Sequence, residues 1–177
     1  MRTCWVLDHP AHVRLLAPFV RSGSTSDVLI ATDRKEVHQL LDASEGVLPK
    51  RQHLWVQRPI GSKRVRIAWK RMRSVRSFLK KAQRSGGPIE RIVCIGSSLE
   101  LRAAKRLRIA KRWYISDTEV NHLAHRLAIG AATDVLIPTH WDASLDGGLL
   151  EKFRKKRLSI HRLDGLHGMV HLRPQLR

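Results

Sequence analysis

Seven short apolar runs, each rich in β-branched residues, place the strongest limit on how this chain can fold. Runs of this kind are nearly continuously apolar, which is typical of strands covered on both faces in a parallel sheet. They are TCWVLD (3–8), DVLIATD (27–33), HLWVQ (53–57), RIVCIG (91–96), RWYISD (112–117), DVLIPT (134–139) and LSIHRL (158–163). The chain therefore contains up to seven strands of one sheet.

Segments with helical periodicity separate several of these runs. The first begins with Pro10 at a favoured first-turn position and ends on Gly23. Residues 97–109 carry a serine cap before an apolar stripe, and the segment that begins with Thr118 has that residue as its predicted cap. A further helix follows Pro59, where the apolar stripe is Val65, Ala68, Met72, Val75, Leu79 and Ala82.

Strand and helix thus alternate about six times, without an internal repeat. This order predicts an α/β domain with a doubly wound, mostly parallel sheet of about seven strands and right-handed crossovers, in other words a Rossmann-like fold. We assign residues 1–160 to this domain and residues 161–177 to a tail that follows it.

The charge indicates what kind of partner to expect. The chain has 34 Lys and Arg against 15 Asp and Glu, a net charge of +19. Such an excess favours nucleic acid, an anionic lipid surface or a phosphorylated small molecule, although a basic proteome would give the same excess. The basic residues are most concentrated in the segment 61–87, which has ten of them and no acid. We define its basic face as Lys63, Arg64, Lys70, Arg71, Arg73, Lys80 and Lys81.

Three interpretations of the segment 61–87 remain open. It is an amphipathic helix with a solvated basic face, an interfacial helix with Trp69 and Phe78 near a membrane boundary, or a surface for nucleic acid. The scarcity of Tyr and Phe weakens the nucleic-acid interpretation, since RNA-binding modules stack bases on aromatic side chains.

The expected location is the cytoplasm, with peripheral membrane contact as an option. No apolar run reaches the roughly 18 residues of a membrane span, and the first apolar stretch is too short for a signal peptide. Cys4 and Cys94 both lie inside apolar runs, which predicts buried free thiols rather than a disulfide.

Candidate site residues follow the strands, because ligands of such sheets bind at the carboxyl ends of the strands. These residues are His9, His12, Thr32, Asp33, Gly96, Ser97, Ser98, Asp117, Thr118, Glu119, Asn121 and His140. They predict a site on this edge, where helix caps also lie.

The chain lacks the glycine fingerprint of dinucleotide-binding domains and the phosphate loop of nucleoside triphosphatases. His9, His12, His122, His125 and Asp117 do not have the spacing of a zinc site, so we predict no metal.

Four segments together resemble a prokaryotic family known as domain of unknown function 354. They are LDHPAHVRLL, IGSSLELRAAKRLRI, ISDTEVNHLAHRLAIGAATDVLIPT and DGLHGMVHLRPQL, in the family's order from residue 4 to about residue 175. That family is similar to glycosyltransferases of the GT-B fold and to sugar-nucleotide 2-epimerases. The resemblance implies two Rossmann-like domains that face each other, the first holding the acceptor and the second the nucleotide-sugar donor.

By this resemblance the chain corresponds to the acceptor-side half, and Arg177 falls where the family enters its second domain. The expected partner is a donor-binding subunit or a missing C-terminal domain. The resemblance implies a nucleotide sugar as substrate and no tightly bound cofactor, with an anionic or lipid-phosphate acceptor on the basic face.

The resemblance also suggests roles for individual residues. His12 lies in a place similar to a loop histidine of the peptidoglycan GlcNAc transferases, where it would accept or orient an acceptor proton. Glu119 is the second catalytic candidate. The expected substrate-binding residues are His9, Ser97, Ser98, Asp117, Thr118 and Asn121. The alternative is structural, with His9 capping a turn, His12 packing on a strand and residues 117–121 capping a helix.

The sequence therefore predicts the acceptor-side half of a GT-B-type glycosyltransferase. A non-catalytic basic module that binds nucleic acid or an anionic membrane is the alternative, and an epimerase-like enzyme is a third option.

Overall fold

The computed structural model describes residues 1–43, 51–59, 61–116 and 118–163. Seven strands form one sheet in the order β3-β2-β1-β4-β5-β6-β7, and all neighbouring strands run parallel. The strands are β1 (Thr3–Leu7), β2 (Val28–Thr32), β3 (His53–Val56), β4 (Arg91–Ile95), β5 (Lys111–Ile115), β6 (Asp134–Pro138) and β7 (Ser159–Leu163). The predicted doubly wound α/β fold is confirmed, and each predicted apolar run coincides with one strand, with β5 beginning one residue before its run.

Each described connection between successive strands contains a helix. The helices are α1 (Pro10–Ser22), α2 (Lys35–Ala43), α3 (Arg64–Gly86), α4 (Leu99–Arg106), α5 (His122–Ile129) and α6 (Leu149–Lys155). From β1 the chain moves outward on one side through β2 and β3, then returns and moves outward on the other side through β4 to β7. The strand order therefore reverses between β1 and β4, which is the topological switch point of a Rossmann-like sheet.

The sheet has a hydrophobic core on each face. Cys4 and Val6 of β1 belong to the core formed with helices α3 to α6, whereas Trp5 and Leu7 belong to the core formed with α1 and α2. This alternation follows from the two-residue side-chain period of a strand. Cys4 and Cys94 are free and fully buried, as predicted.

Three helix ends differ from the sequence prediction. The cap of α5 is Asn121, which accepts a hydrogen bond from Ala124 N at 3.4 Å, so Thr118 lies in the preceding loop. Ser98 occupies the cap position of α4 but makes no side-chain capping hydrogen bond. Val65, in the first turn of α3, was predicted to be buried and is 76% exposed.

The boundary of the predicted tail also changes. β7 continues to Leu163, so residues 161–163 belong to the sheet rather than to the tail. Residues 164–177 of that tail and the candidate Asp117 lie outside the described residues.

Candidate functional site

A cavity of about 580 Å³ opens at the carboxyl edge of the sheet, at the switch point between β1 and β4. The end of β1, the loop from β4 into α4, the first turns of α3 and one face of α5 form its wall. The residues that line it are Asp8, Arg58, Pro59, Arg64, Val65, Ala68, Arg71, Gly96, Ser97, Ser98, Leu99, Glu100, Asn121, Leu123, Ala124 and Leu127. This is the position at which open α/β sheets bind their ligands.

A buried arginine between two carboxylates lies in the wall of this cavity. The Nη2 of Arg71 is 3.0 Å from Asp8 Oδ1, and its Nε donates to Glu100 Oε1 at 2.6 Å. The side chains of Arg71 and Glu100 are 3% and 1% exposed. The prediction that Arg71 belongs to the solvated basic face is therefore wrong. Arg71 lies on the buried side of α3, where it pairs with the two acids.

Hydroxyl groups hold the carboxylate of Asp8 from two further directions. Thr32 Oγ1 donates to Asp8 Oδ1, and Ser97 Oγ donates to Oδ2 at 2.8 Å. Burial favours the neutral acid, but the charge of Arg71 and the hydrogen bonds outweigh burial and lower the pKa of Asp8. Asp8 is thus a fixed anion at neutral pH.

Glu100 is held on one side only. Its Oε1 accepts from Arg71, whereas its Oε2 is buried and has no hydrogen-bond partner among the described residues. Buried polar atoms nearly always have a partner, so this oxygen requires an explanation.

The mouth of the cavity combines cationic and apolar side chains. Arg58 and Arg64 line it and are exposed, and Val65 and Leu123 are 76% and 70% exposed. With Arg71, three arginines and two carboxylates line the cavity, which leaves one net positive charge. The mouth therefore favours a ligand with an anionic group.

The structure brings part of the predicted site together. Ser97, Ser98 and Asn121 line the cavity. His9 and His12 do not line it. His9 caps α1 and accepts a hydrogen bond from Ala11 N at 3.3 Å, and the His9 and His12 rings lie 5.8 Å apart.

Thr118 and Glu119 take part in contacts between loops instead. Glu119 Oε1 accepts from Asp142 N at 3.1 Å, which joins the loop after β5 to the loop after β6. The carbonyl oxygen of Thr118 accepts from Ser116 Oγ at 3.0 Å and lies 2.9 Å from His125 Nε2. Neither residue lines the cavity.

Five residues of the predicted basic face are exposed. They are the N-cap of α3 and four residues within the helix: Lys63, Lys70, Arg73, Lys80 and Lys81. Trp69 is 53% exposed on the same helix, and the guanidinium of Arg73 lies 4.5 Å from the centre of its ring. An exposed tryptophan beside cations is typical of a contact surface. Arg64, also in the predicted face, belongs to the mouth of the cavity.

Sequence reasoning missed Asp8, Arg58 and Glu100. Asp8 follows β1 directly, so its place on the carboxyl edge was available from the sequence. Glu100 is an acid between the apolar residues Leu99 and Leu101, which is a weak signal of a buried carboxylate with a partner.

No protein-family model matches the sequence, and no curated protein is significantly similar to it, so the family resemblance stays a prediction. Within the described ranges, no three His, Cys, Asp or Glu side chains gather closely enough to hold a metal ion. None of the described helices has the length and apolar character needed to cross a bilayer.

Proposed function

We propose that the domain is the acceptor-side half of a GT-B-type glycosyltransferase and that its cavity holds an anionic acceptor. The nucleotide-sugar donor would bind to a second domain or a partner chain that faces the carboxyl edge. The single observation that carries the proposal is the cavity at the switch point, with arginines at its mouth and two fixed carboxylates in its wall.

The electrostatics support an anionic acceptor. Arg58 and Arg64 have no counter-ion among the described residues, whereas Arg71 is paired with both Asp8 and Glu100. Two uncompensated guanidinium groups at a concave surface are suited to a phosphate or carboxylate, which they bind by charge-assisted hydrogen bonds.

The decisive experiment isolates the protein with its natural partners and measures transfer of label from radioactive nucleotide sugars to acidic acceptors. The variant Arg58→Gln/Arg64→Gln should lose most of this transfer. Arg126→Gln/Arg154→Gln removes the same charge from exposed positions outside the cavity and should retain it. Equal loss in both variants, or a native assembly that transfers no sugar, would refute the proposal.

His12 stays the candidate base that the family resemblance suggests, although it is not among the residues that line the cavity. It lies in the first turn of α1, at the same edge as the cavity. In the complete enzyme, His12→Ala should lower turnover by about a hundredfold or more while the melting temperature is kept. Unchanged turnover would remove His12 from the mechanism.

A second candidate function is a basic binding module, and the outward face of α3 favours it. Trp69 and Val65 lie one turn apart among exposed cations, which fits an anionic membrane surface better than a nucleic acid. Vesicles containing phosphatidylserine should then bind the protein in low salt, and Trp69→Ala/Arg73→Gln should weaken that binding. Binding to single-stranded RNA with a steep salt dependence would favour nucleic acid instead.

A further inference from the structure

The unpaired oxygen of Glu100 points to a ligand group beyond the anion. Glu100 lines the cavity, its side chain is 1% exposed, and Oε2 has no partner among the described residues. Leaving a buried carboxylate oxygen without a donor is costly, and the cost is recovered when a donor reaches it.

The neighbouring side chains do not supply that donor. Arg71 uses its Nε for Glu100 Oε1 and its Nη2 for Asp8, and the hydroxyl of Ser97 donates to Asp8. No described residue donates to Oε2, so the donor that we consider is a molecule bound in the cavity.

The charge of the lining decides between an ammonium and a hydroxyl. The buried cluster of Arg71, Asp8 and Glu100 carries one net negative charge, but Arg58 and Arg64 at the mouth make the lining as a whole positive, which disfavours the entry of a cationic ligand. A neutral hydroxyl group can donate to Oε2 while an anionic group on the same molecule meets Arg58 and Arg64. The volume of about 580 Å³ is ample for a molecule of this size.

We propose that Glu100 Oε2 accepts a hydrogen bond from a ligand hydroxyl, so the cavity selects phosphorylated polyols, such as sugar phosphates, over bare phosphates. This inference rests on the proposed function in one respect, namely that an anionic ligand occupies the cavity. Glu100 is then the residue that determines specificity.

Calorimetric titration of the wild-type protein provides a first test that requires no variant. Glucose 1-phosphate should bind at least about tenfold more tightly than phenyl phosphate, which has a ring but no ring hydroxyl, and than inorganic phosphate. Among the 2-, 3-, 4- and 6-deoxy analogues of glucose 1-phosphate, at least one should lose most of that preference. Similar affinities for all these probes would overturn the inference, and a water molecule on Oε2 would be the explanation.

The variant Glu100→Gln tests the contact itself. Arg71 Nε still requires an acceptor, so the amide oxygen takes the place of Oε1 and the amide nitrogen takes the place of Oε2. The ligand hydroxyl can then only accept a neutral hydrogen bond from the amide, in place of donating a charge-assisted one to the carboxylate, so the preference for glucose 1-phosphate over phenyl phosphate should fall severalfold. Glu90→Gln alters an exposed acid outside the cavity and should keep the preference.

The outcomes separate the two proposals. If Glu100→Gln is folded and keeps the wild-type preference, the role of Glu100 is refuted while the cavity remains an anion site. If no probe binds and Arg58→Gln/Arg64→Gln changes nothing, the proposed function fails as well. If Glu100→Gln does not fold, the deoxy analogues decide the matter on the wild-type protein.

Discussion

Removing the guanidinium of Arg71 should destabilise the domain more than any other change of a charged residue on α3. Arg71→Met keeps the length and apolar body of the side chain but leaves the carboxylates of Asp8 and Glu100 without their counter-ion. Its atoms lie 3.0 Å and 2.6 Å from those carboxylates, and its side chain is 3% exposed. Breaking a buried pair by removing one partner costs about 3–5 kcal/mol, so we expect a loss of this size at pH 7.

Urea unfolding followed by tryptophan fluorescence measures this loss. Arg76→Met, on the exposed side of the same helix, is the matched control and should cost less than about 0.5 kcal/mol. The triple variant Arg71→Met/Asp8→Asn/Glu100→Gln should recover most of the stability, since it leaves no uncompensated charge. If Arg71→Met costs no more than Arg76→Met, Arg71 does not hold the cluster and our description of the site is wrong.

Acid pH tests the same cluster without a mutation. The folded pKa of Asp8 is lowered, so its stabilising contribution is present above the ordinary carboxyl pKa of 3.8 and is lost as the pH falls through the folded value. The free energy of unfolding should therefore fall below about pH 4, and Asp8→Asn should flatten that part of the profile. A profile that Asp8→Asn leaves unchanged would contradict this assignment.

Further predictions concern buried groups outside the cavity. Burial raises the pKa of the Cys4 and Cys94 thiols, so Ellman's reagent should label neither until the protein unfolds; labelling of the native protein would contradict their burial. Burial lowers the pKa of His125 in the folded state. The free energy of unfolding should therefore decrease as the pH falls from about 6.5 toward that folded-state pKa, and His125→Gln should abolish this pH dependence. Asn121→Ala removes the cap of α5 and should lower the unfolding free energy by about 1 kcal/mol, with an unchanged value as the contrary result.

The fold was predictable because a parallel sheet buries both faces of its strands. β1, for example, is buried at all of its positions, and its sequence is accordingly apolar after Thr3. The place of Ser97 and Ser98 on the carboxyl edge followed from the same alternation of strand and helix, since the residues after each parallel strand share one edge.

The charged cluster of Asp8, Arg71 and Glu100 was less predictable, because three separate segments bring it together. The buried side of α3 was predicted from its apolar side chains, so the charged residue Arg71 was assigned to the solvated face. Arg71 nevertheless lies in helical register with the buried Val75, Leu79 and Ala82, and that register was a signal available in the sequence. Which acids would meet it depends on tertiary contacts that no local pattern encodes.

Neither could the sequence decide the roles of the two histidines near the start of the chain. His9 lies between the end of β1 and the start of α1, and that position is compatible with both a capping and a substrate-binding role. Its hydrogen bond to Ala11 N shows the cap directly, while the chemistry proposed for His12 depends on an acceptor.

The central claim is that the cavity at the switch point binds an anionic ligand, and amide chemical-shift mapping tests it most directly. Titration of the isotope-labelled protein with glucose 1-phosphate should shift the amides of residues 96–100 and of Asp8, and the shifts should vanish in Arg58→Gln/Arg64→Gln. Shifts confined to the outward face of α3, or none at millimolar concentrations, would contradict the account.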